Sequence, residues 1–335
     1  MRVEYKYDLS SQNTFRMKVS CECYIQYDTV SELEGLNLDS LPKPLLHIGQ
    51  GSNLLFTADF PGTVLHSNIN TIKYVDMGFN EVPIIVGSGV SFDSFVEQVC
   101  AHGLWGAENL SGIPGEVGAA AVQNIGAYGV EVKDIISGVV CYDIKERKKV
   151  KFGVQECKYA YRHSMFKEQG TKGRYIVTSV LFRLSRVPSP KLDYKGIKEA
   201  LEGVENPSPT QVREAVLKLR ASKLPDVSEL GSAGSFFMKP VVSKADFERI
   251  SPDGSAPHYV LEDGSIKVPA AYLIDRCGLK GEMSGGAQVY QKQPLVIVNA
   301  SGTASPQDIL ELEQKVINTV KERFGVTLQP EVEHI

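Results

Sequence analysis

Arg162 and Ser235 are side chains suited to manage a developing negative charge and a proton, and a third stretch, around Glu331, stands out with them. Arg162 lies in Tyr159–Lys167 (YAYRHSMFK), which gathers Tyr161, Arg162, His163, Ser164 and Lys167 within a few positions. A guanidinium beside a flat cofactor polarises an oxygen or stabilises an enolate. On an open surface the same residue makes a salt bridge, the commoner fate of arginine. Ser235 stands between Gly234 and two phenylalanines in Gly231–Pro240 (GSAGSFFMKP). A hydroxyl on a glycine-flexed backbone against aromatic walls suits proton donation in a dry pocket, although serines in glycine turns are common. Glu331 follows Pro330 in LQPEVEHI, where a glutamate is usually solvated. Lys223, just before Leu224-Pro225, can face an anionic substrate; Tyr194 is as weak a signal when taken alone. The elbow G-x-S-x-G is absent around Ser235, so a Ser-His-Asp triad is unsupported.

These side chains need something flat or anionic to work on, and Leu104–Gly129 (LWGAENLSGIPGEVGAAAVQNIGAYG) supplies its seat. Ser111–Gly129 holds five glycines and four alanines, a composition that reads as neither an amphipathic helix nor an alternating strand. So many small residues let the backbone approach a ligand closely. Pro114-Gly115 forces a turn, bare N–H groups suit a pyrophosphate, and Gln123 and Asn124 can bond a heteroaromatic edge. Tight packing of loops on a sheet is the competing explanation. A second glycine loop, Gly49-Gln50-Gly51-Ser52-Asn53, follows the strand-like Leu45–Ile48. The LLFTADF after it reads as a strand. A dinucleotide fingerprint requires a helix there, so a Rossmann site is disfavoured.

The 335 residues call for two or three domains. A net charge of −4 argues against nucleic acid or an anionic membrane as the main partner. No apolar run approaches a membrane span, and MRVEYKYDLS lacks a signal-peptide core, so a cytoplasmic location is expected. The six cysteines contain no Cys-x-x-Cys pair, which points to reduced thiols and no metal site.

The elements that must hold the candidate residues follow from pattern. Residues 19–27, 136–142 and 175–184, with Val82–Val86, Pro294–Asn299 and Thr327–Val332, read as strands. Ser91 caps a helix that buries Phe92, Phe95, Val96, Val99 and Cys100 and stops at Gly103. Prolines at 188, 190, 207 and 209 mark a boundary. Ser208-Pro209-Thr210-Gln211 then opens a helix that ends before Pro225. Another helix spans Pro269–Cys277. The last opens at Ser305-Pro306, buries Ile309, Leu312, Val316, Ile317 and Val320, and stops at Gly325. The whole is α+β.

The ordered set HIGQGSNLL, LSGIPGEVGAAAVQNIGAYG, YAYRHSMFK, KLPD, GSAGSFF, AAYLIDRCGLKG and LQPEV closely resembles the UDP-N-acetylenolpyruvoylglucosamine reductase family over nearly the whole chain. That resemblance implies a vanillyl-alcohol-oxidase (PCMH-type) FAD-binding fold of two subdomains, 1–75 and 76–205. A C-terminal α+β substrate domain, 206–335, would follow. It implies non-covalent FAD, NADPH as co-substrate, and reduction of an enolpyruvyl ether of a UDP-sugar to UDP-N-acetylmuramate for the bacterial wall. Gly49, Gly51, Ser52, Asn53 and Leu54 would line the flavin and its pyrophosphate, with Ser111, Gly112, Ile113, Pro114, Gly115, Gly118 and Ala119. Gln123, Asn124, Gly126, Ala127, Tyr128, Gly129 and Arg220 would complete that site.

By the same resemblance Arg162 and Glu331 handle the charge on the substrate carboxylate, and Ser235 is the proton donor. To help rather than repel, Glu331 must be protonated or bonded to a cation. Lys223 and Gln293 would bind phosphate, and Tyr194 matches the lid tyrosine of the longer subtype. Two departures stand out: Met238-Lys239-Pro240 replaces the usual Lys-Asn-Pro, and Glu333-His334 stands where the closing strand usually carries arginine. A monomer is expected, with a small-molecule substrate and neither nucleic acid nor membrane as partner. Another FAD-dependent oxidoreductase or oxidase on the same fold is the alternative.

Overall fold

The computed structural model describes all residues except Asp76, Met77 and Lys195. Two compact units share the chain: residues 1–7, 21–50 and 61–221 form the first, and 8–20, 51–60 and 222–335 the second. The helices are α1 (Val30–Glu34), α2 (Phe92–Ala101), α3 (Val117–Gln123), α4 (Ile197–Ala200), α5 (Pro209–Lys223), α6 (Lys244–Ile250), α7 (Ala270–Arg276) and α8 (Pro306–Phe324).

The first unit contains a four-stranded sheet in the order Arg2–Asp8, Ser20–Tyr27, Phe60–Ser67, Leu45–Ile48. It also contains an antiparallel five-stranded sheet in the order Lys148–Gly153, Ile136–Asp143, Tyr175–Ser185, Glu81–Gly87, Ile72–Tyr74. Ser91 caps α2 by accepting the Ser94 N–H. The expected face of Phe92, Phe95, Val96, Val99 and Cys100 joins Val82, Ile84, Val86, Val180 and Phe182 in one core. Helix α5 turns Val212, Ala215 and Val216 onto Trp105, Ile197 and Leu201. We propose that the two sheets are the cores of two subdomains, 1–75 and 76–205, with the strand Ile72–Tyr74 of the first stretch joining the sheet of the second.

The small-residue stretch departs from its expected irregularity, because residues 117–123 form a helix within it. Alanine is the strongest helix former, and consecutive Ala119, Ala120 and Ala121 outweigh Gly118. That glycine is required by packing: a Cβ there would lie 2.8 Å from the Ser88 Cβ. Asn124 ends α3 in the left-handed conformation (φ 47°). Gly126–Ala127 then pairs with Val130–Glu131 through Tyr128 and Gly129, both at positive φ, as a tight hairpin turn demands.

The second unit carries the sheet Gly231–Ser235, Val296–Asn299, Ala287–Val289, Met283–Ser284. Helix α8 opens with the capping box of Ser305 and Asp308 and closes at Gly325 (φ 70°), as its sequence signals require. The helix expected at Pro269–Cys277 keeps both end residues as caps. The closing strand is displaced. Thr327–Val332 makes a single bridge, Phe237 to Pro330, and the regular pairing falls at Glu333–His334 beside Leu54–Leu55. Pro330 lacks the N–H that a continuous ladder needs. Of LLFTADF, Leu54–Leu55 is a short strand and the last residue, Phe60, opens the strand Phe60–Ser67. All six cysteines are free thiols. Among the described residues no helix is long and apolar enough to cross a membrane, and no His, Cys, Asp or Glu cluster is arranged to hold a metal ion.

Candidate active site

In the first unit the Tyr159–Lys167 segment is stitched onto the glycine-rich stretch. Arg162 donates to the carbonyls of Asn124 (3.3 Å) and Gly126 (2.8 Å), and Ser164 Oγ donates to Val122 O at 2.5 Å. Asn124 Nδ2 donates back to Ala160 O at 2.8 Å. Arg162 holds φ +55°, a conformation costing a non-glycine residue about 1–3 kcal/mol and found mainly where function imposes it.

Lys167 Nζ donates to Gln123 Oε1 (2.6 Å) and to Arg162 O (3.1 Å). An ammonium only donates, so this contact fixes which end of the Gln123 amide is oxygen. Gln123 Nε2 is then buried without a hydrogen-bond partner among the described residues. An orphaned donor costs about 1–3 kcal/mol, and a carbonyl oxygen or ring nitrogen of a flavin is the kind of acceptor that would relieve it. The residues present fit FAD.

Several glycine N–H groups are satisfied within the protein. The Gly112 N–H is taken by Asp93 (2.5 Å), Gly115 N–H by Gln50 Oε1 (3.2 Å) and Gly118 N–H by Ser88 O (3.0 Å). The expectation of bare N–H groups at these positions is therefore corrected. A Cβ on Gly112 would come within 2.8 Å of Leu217 and 2.9 Å of Arg220 Nε. This glycine thus admits the expected Arg220, which also reaches Tyr128. Arg213, two turns earlier on α5, binds Asp93 through both nitrogens of its fork and ties the Gly112 turn to α2 and α5. Tyr194 is half exposed, its ring edge-on to Tyr128 at 5.1 Å. A polar cleft of about 520 Å³ opens beside Gln50, Asn70, Gly89, Ser91, Ser94 and Gln98.

A buried chain that the sequence did not announce supports Gly49. Tyr24 OH meets His66 Nδ1 at 2.6 Å, and His66 Nε2 meets Glu116 Oε1 at 2.8 Å. Glu116 stands at the residue before α3 without a capping hydrogen bond from its side chain, and a Cβ on Gly49 would lie 3.0 Å from its other oxygen. Burial pushes the Glu116 carboxyl up, against the opposing pull of His66.

In the second unit the ladder slips between Ser232 and Ser235, and Gly234 turns at φ +72°. A bulge of this kind re-aims one side chain, here Ser235. Phe236 and Phe237 behind it are fully buried. The terminal segment returns alongside: Met238 N–H bonds Gln329 O (2.9 Å), and Glu331 N–H bonds Phe236 O (2.8 Å). The backbone of Glu331, remote in sequence, is thereby bonded to the residue that follows Ser235. Asn53 of the glycine loop donates to Glu331 O at 3.0 Å, so its amide holds the backbone beside Glu331. Gly51 (φ +61°) packs against backbone, where a Cβ would lie 2.2 Å from Gln12 O. Lys223 is exposed, the Gln293 carbonyl accepts the Val296 N–H (3.0 Å), and Lys239 lies over the Tyr259 ring at 5.2 Å.

Fold and site define an FAD-dependent oxidoreductase. The sequence profile of an FAD binding domain matches residues 39–145, and that of the UDP-N-acetylenolpyruvoylglucosamine reductase C-terminal domain matches 226–335. The chain is 44% identical over 335 residues to the UDP-N-acetylenolpyruvoylglucosamine reductase of Bacteroides fragilis, covering 99% of this chain and 100% of that one. Against the Chromobacterium violaceum enzyme of the same name it is 42% identical over 330 residues, 97% and 96% of the two chains. The crystal structure of UDP-N-acetylenolpyruvylglucosamine reductase from Thermus caldophilus superimposes with a TM-score of 0.70 at 25% identity, covering 100% of this chain and 99% of that one. The chain belongs to the UDP-N-acetylenolpyruvoylglucosamine reductase family.

Proposed function

We propose that this chain reduces the enolpyruvyl group of UDP-N-acetylenolpyruvoylglucosamine to the lactyl ether of UDP-N-acetylmuramate, with NADPH as reductant. The observation that carries this reading is the Glu331 N–H to Phe236 O bond, which ties the backbone of Glu331 to the residue after Ser235. An oxygen acid and a carboxyl group that can engage a substrate carboxylate are thus carried on bonded stretches of backbone.

Bound FAD would supply the chemistry of hydride transfer from NADPH to the enolpyruvyl double bond. The protein's own residues do the rest. Gln123 Nε2, oriented by Lys167, gives a donor to the flavin edge, and the polar cleft beside Gln50 offers partners for the adenosine end. Arg162, held on the Asn124 and Gly126 carbonyls, stabilises the negative charge that builds on the substrate carboxylate as the enolate forms. Glu331, protonated or bonded to a cation, orients that carboxylate. The Ser235 hydroxyl gives its proton to the enolate carbon. A serine hydroxyl is a weak acid, and only a strongly basic enolate in a dry site takes its proton at a useful rate. Lys223 and Gln293 bind the diphosphate, and Tyr194 closes over the substrate as in the longer subtype. We place the enzyme in the cytoplasm, as a monomer, in synthesis of the wall precursor.

The test is the visible spectrum of the purified protein under anaerobic conditions. A flavin band that bleaches with NADPH and returns on adding UDP-N-acetylenolpyruvoylglucosamine is expected. A band bleached by an alcohol or hydroxy acid instead would mean an oxidase. A bleached band that the sugar does not restore would overturn the substrate.

A further inference from the structure

Helix α8 turns Ile309, Leu312, Val316 and Val320 inward, and Glu313 lies among them, only 7% exposed. A carboxylate in an apolar stripe is costly unless it is paired. Its ion-pair partner comes from the terminal segment, where His334 Nε2 stands 3.0 Å from Glu313 Oε2, within reach of charge attraction though not aligned as a hydrogen bond. The residues around His334 are held strand-fashion. Glu333 N–H bonds Asn53 O and Ile335 N–H bonds Leu55 O, both at 2.9 Å. Thr57 gives the Ile335 carbonyl its N–H (2.9 Å) and its hydroxyl (2.7 Å). Upstream, Val332 is buried and Glu331 is gripped by Phe236 and Asn53. The segment that carries Glu331 therefore has one end on the Ser235 strand and the other on α8.

We propose that Glu313 and His334 are positioning residues for Glu331, an ion pair that pins residues 333–335 to α8 and so fixes the backbone from which Glu331 acts. This rests on the reading of Glu331 as the group that meets the substrate carboxylate. The other groups around His334 do not substitute for Glu313. Leu54 and Leu55 come from the paired strand, and Phe236 presents its ring at 6.4 Å. The other charges close to it in sequence, Glu331, Glu333 and the carboxylate of Ile335, belong to the segment itself and cannot tie it to α8. The Glu313 carboxylate holds the His334 imidazolium above the usual histidine range, and burial opposes it with less effect. A histidine raised in this way contributes its full stabilisation below the ordinary value near 6.5, and loses it as pH rises through the folded value. The pin is therefore strongest in mild acid and weakens on the alkaline side.

The test uses the FAD-loaded enzyme and the variants His334→Gln and Glu313→Gln. Flavin bleaching by NADPH and its recovery with UDP-N-acetylenolpyruvoylglucosamine are followed separately across pH. Bleaching is expected to stay at the wild-type rate. Recovery is expected to slow roughly 10-fold or more in mild acid, as for a group displaced by a fraction of an ångström to an ångström. The wild-type enzyme's alkaline decline in recovery should vanish in both variants. The double variant should be no slower than either single one, since the two residues act as a unit. Amide hydrogen exchange at Glu333 and Ile335 gives a readout independent of turnover, with protection lost in both variants and, in the wild type, at alkaline pH. His334 is partly exposed, so its variant folds even if Glu313→Gln does not. Recovery at the wild-type rate, equal slowing of both half-reactions, or unchanged amide protection would each overturn the proposal. If the wild-type enzyme itself fails to bleach or recover, the functional reading has failed, and amide exchange alone decides whether the pin exists.

Discussion

A serine becomes a proton donor only through its surroundings, and those of Ser235 are a bulge, a left-handed Gly234 and two buried phenylalanines. The step assigned to it comes after flavin reduction. Ser235→Ala should therefore leave NADPH bleaching intact and slow recovery with substrate by about 10²- to 10⁴-fold, the usual worth of a positioned acid. Stopped-flow absorbance separates the two, and equal slowing of both would remove Ser235 from the chemistry. At this scale the motifs could be read from the sequence, but not what the fold connects them to. Arg162, Ser235 and Glu331 are recognisable by their motifs, yet nothing in LQPEV says that Glu331 will bond Phe236. The roles of Gly112, Gly115 and Gly118 were not legible, because whether a glycine makes room for a ligand or for Asp93, Gln50 and Ser88 depends on what the fold brings opposite it.

Among elements, α2 and α5 are joined at the Gly112 turn by Asp93 and Arg213. Arg213 is only 7% exposed, so removing its carboxylate leaves a buried cation without its main partner. Asp93→Ala is expected to destabilise the protein by about 3 kcal/mol, read from urea unfolding. Burial pushes the Asp93 carboxyl up, but the Arg213 guanidinium and the Gly112 N–H outweigh it and hold the group below the usual carboxylate range. Such a group contributes above the ordinary value of about 3.9 and loses its contribution as pH falls through the depressed one. The wild-type protein should therefore shed more stability than Asp93→Ala between about pH 4 and pH 2. A parallel loss in the two would contradict the pair. Elements with strong caps, α2 and α8, were legible to within a residue or two. Helix α3 was hidden by its glycines, and the terminal pairing fell beyond Pro330 because the partner strand, Leu54–Leu55, lies far off in sequence.

For the molecule as a whole, the α+β class and the FAD-binding first half could be read from the order of motifs, whereas the interleaving of the two units could not. A ligand that binds only the folded chain stabilises it by mass action. With free FAD at about 100 times its dissociation constant, the gain over the apoprotein should be about 2.7 kcal/mol in denaturant unfolding. No shift on adding FAD would argue against a flavin site. The interleaving also matters on the ribosome. The last residue of the first unit is Ala221, but segments 8–20 and 51–60 belong with residues 222–335. Phe15 and Phe56, wholly buried in the finished protein, emerge early and wait roughly ten seconds or more for that stretch to be translated. Throughout that interval the nascent chain presents them to chaperones and to neighbouring chains. Nascent chains halted near residue 221 should therefore bind trigger-type chaperones through these two short segments, and release them only when the remainder has been made.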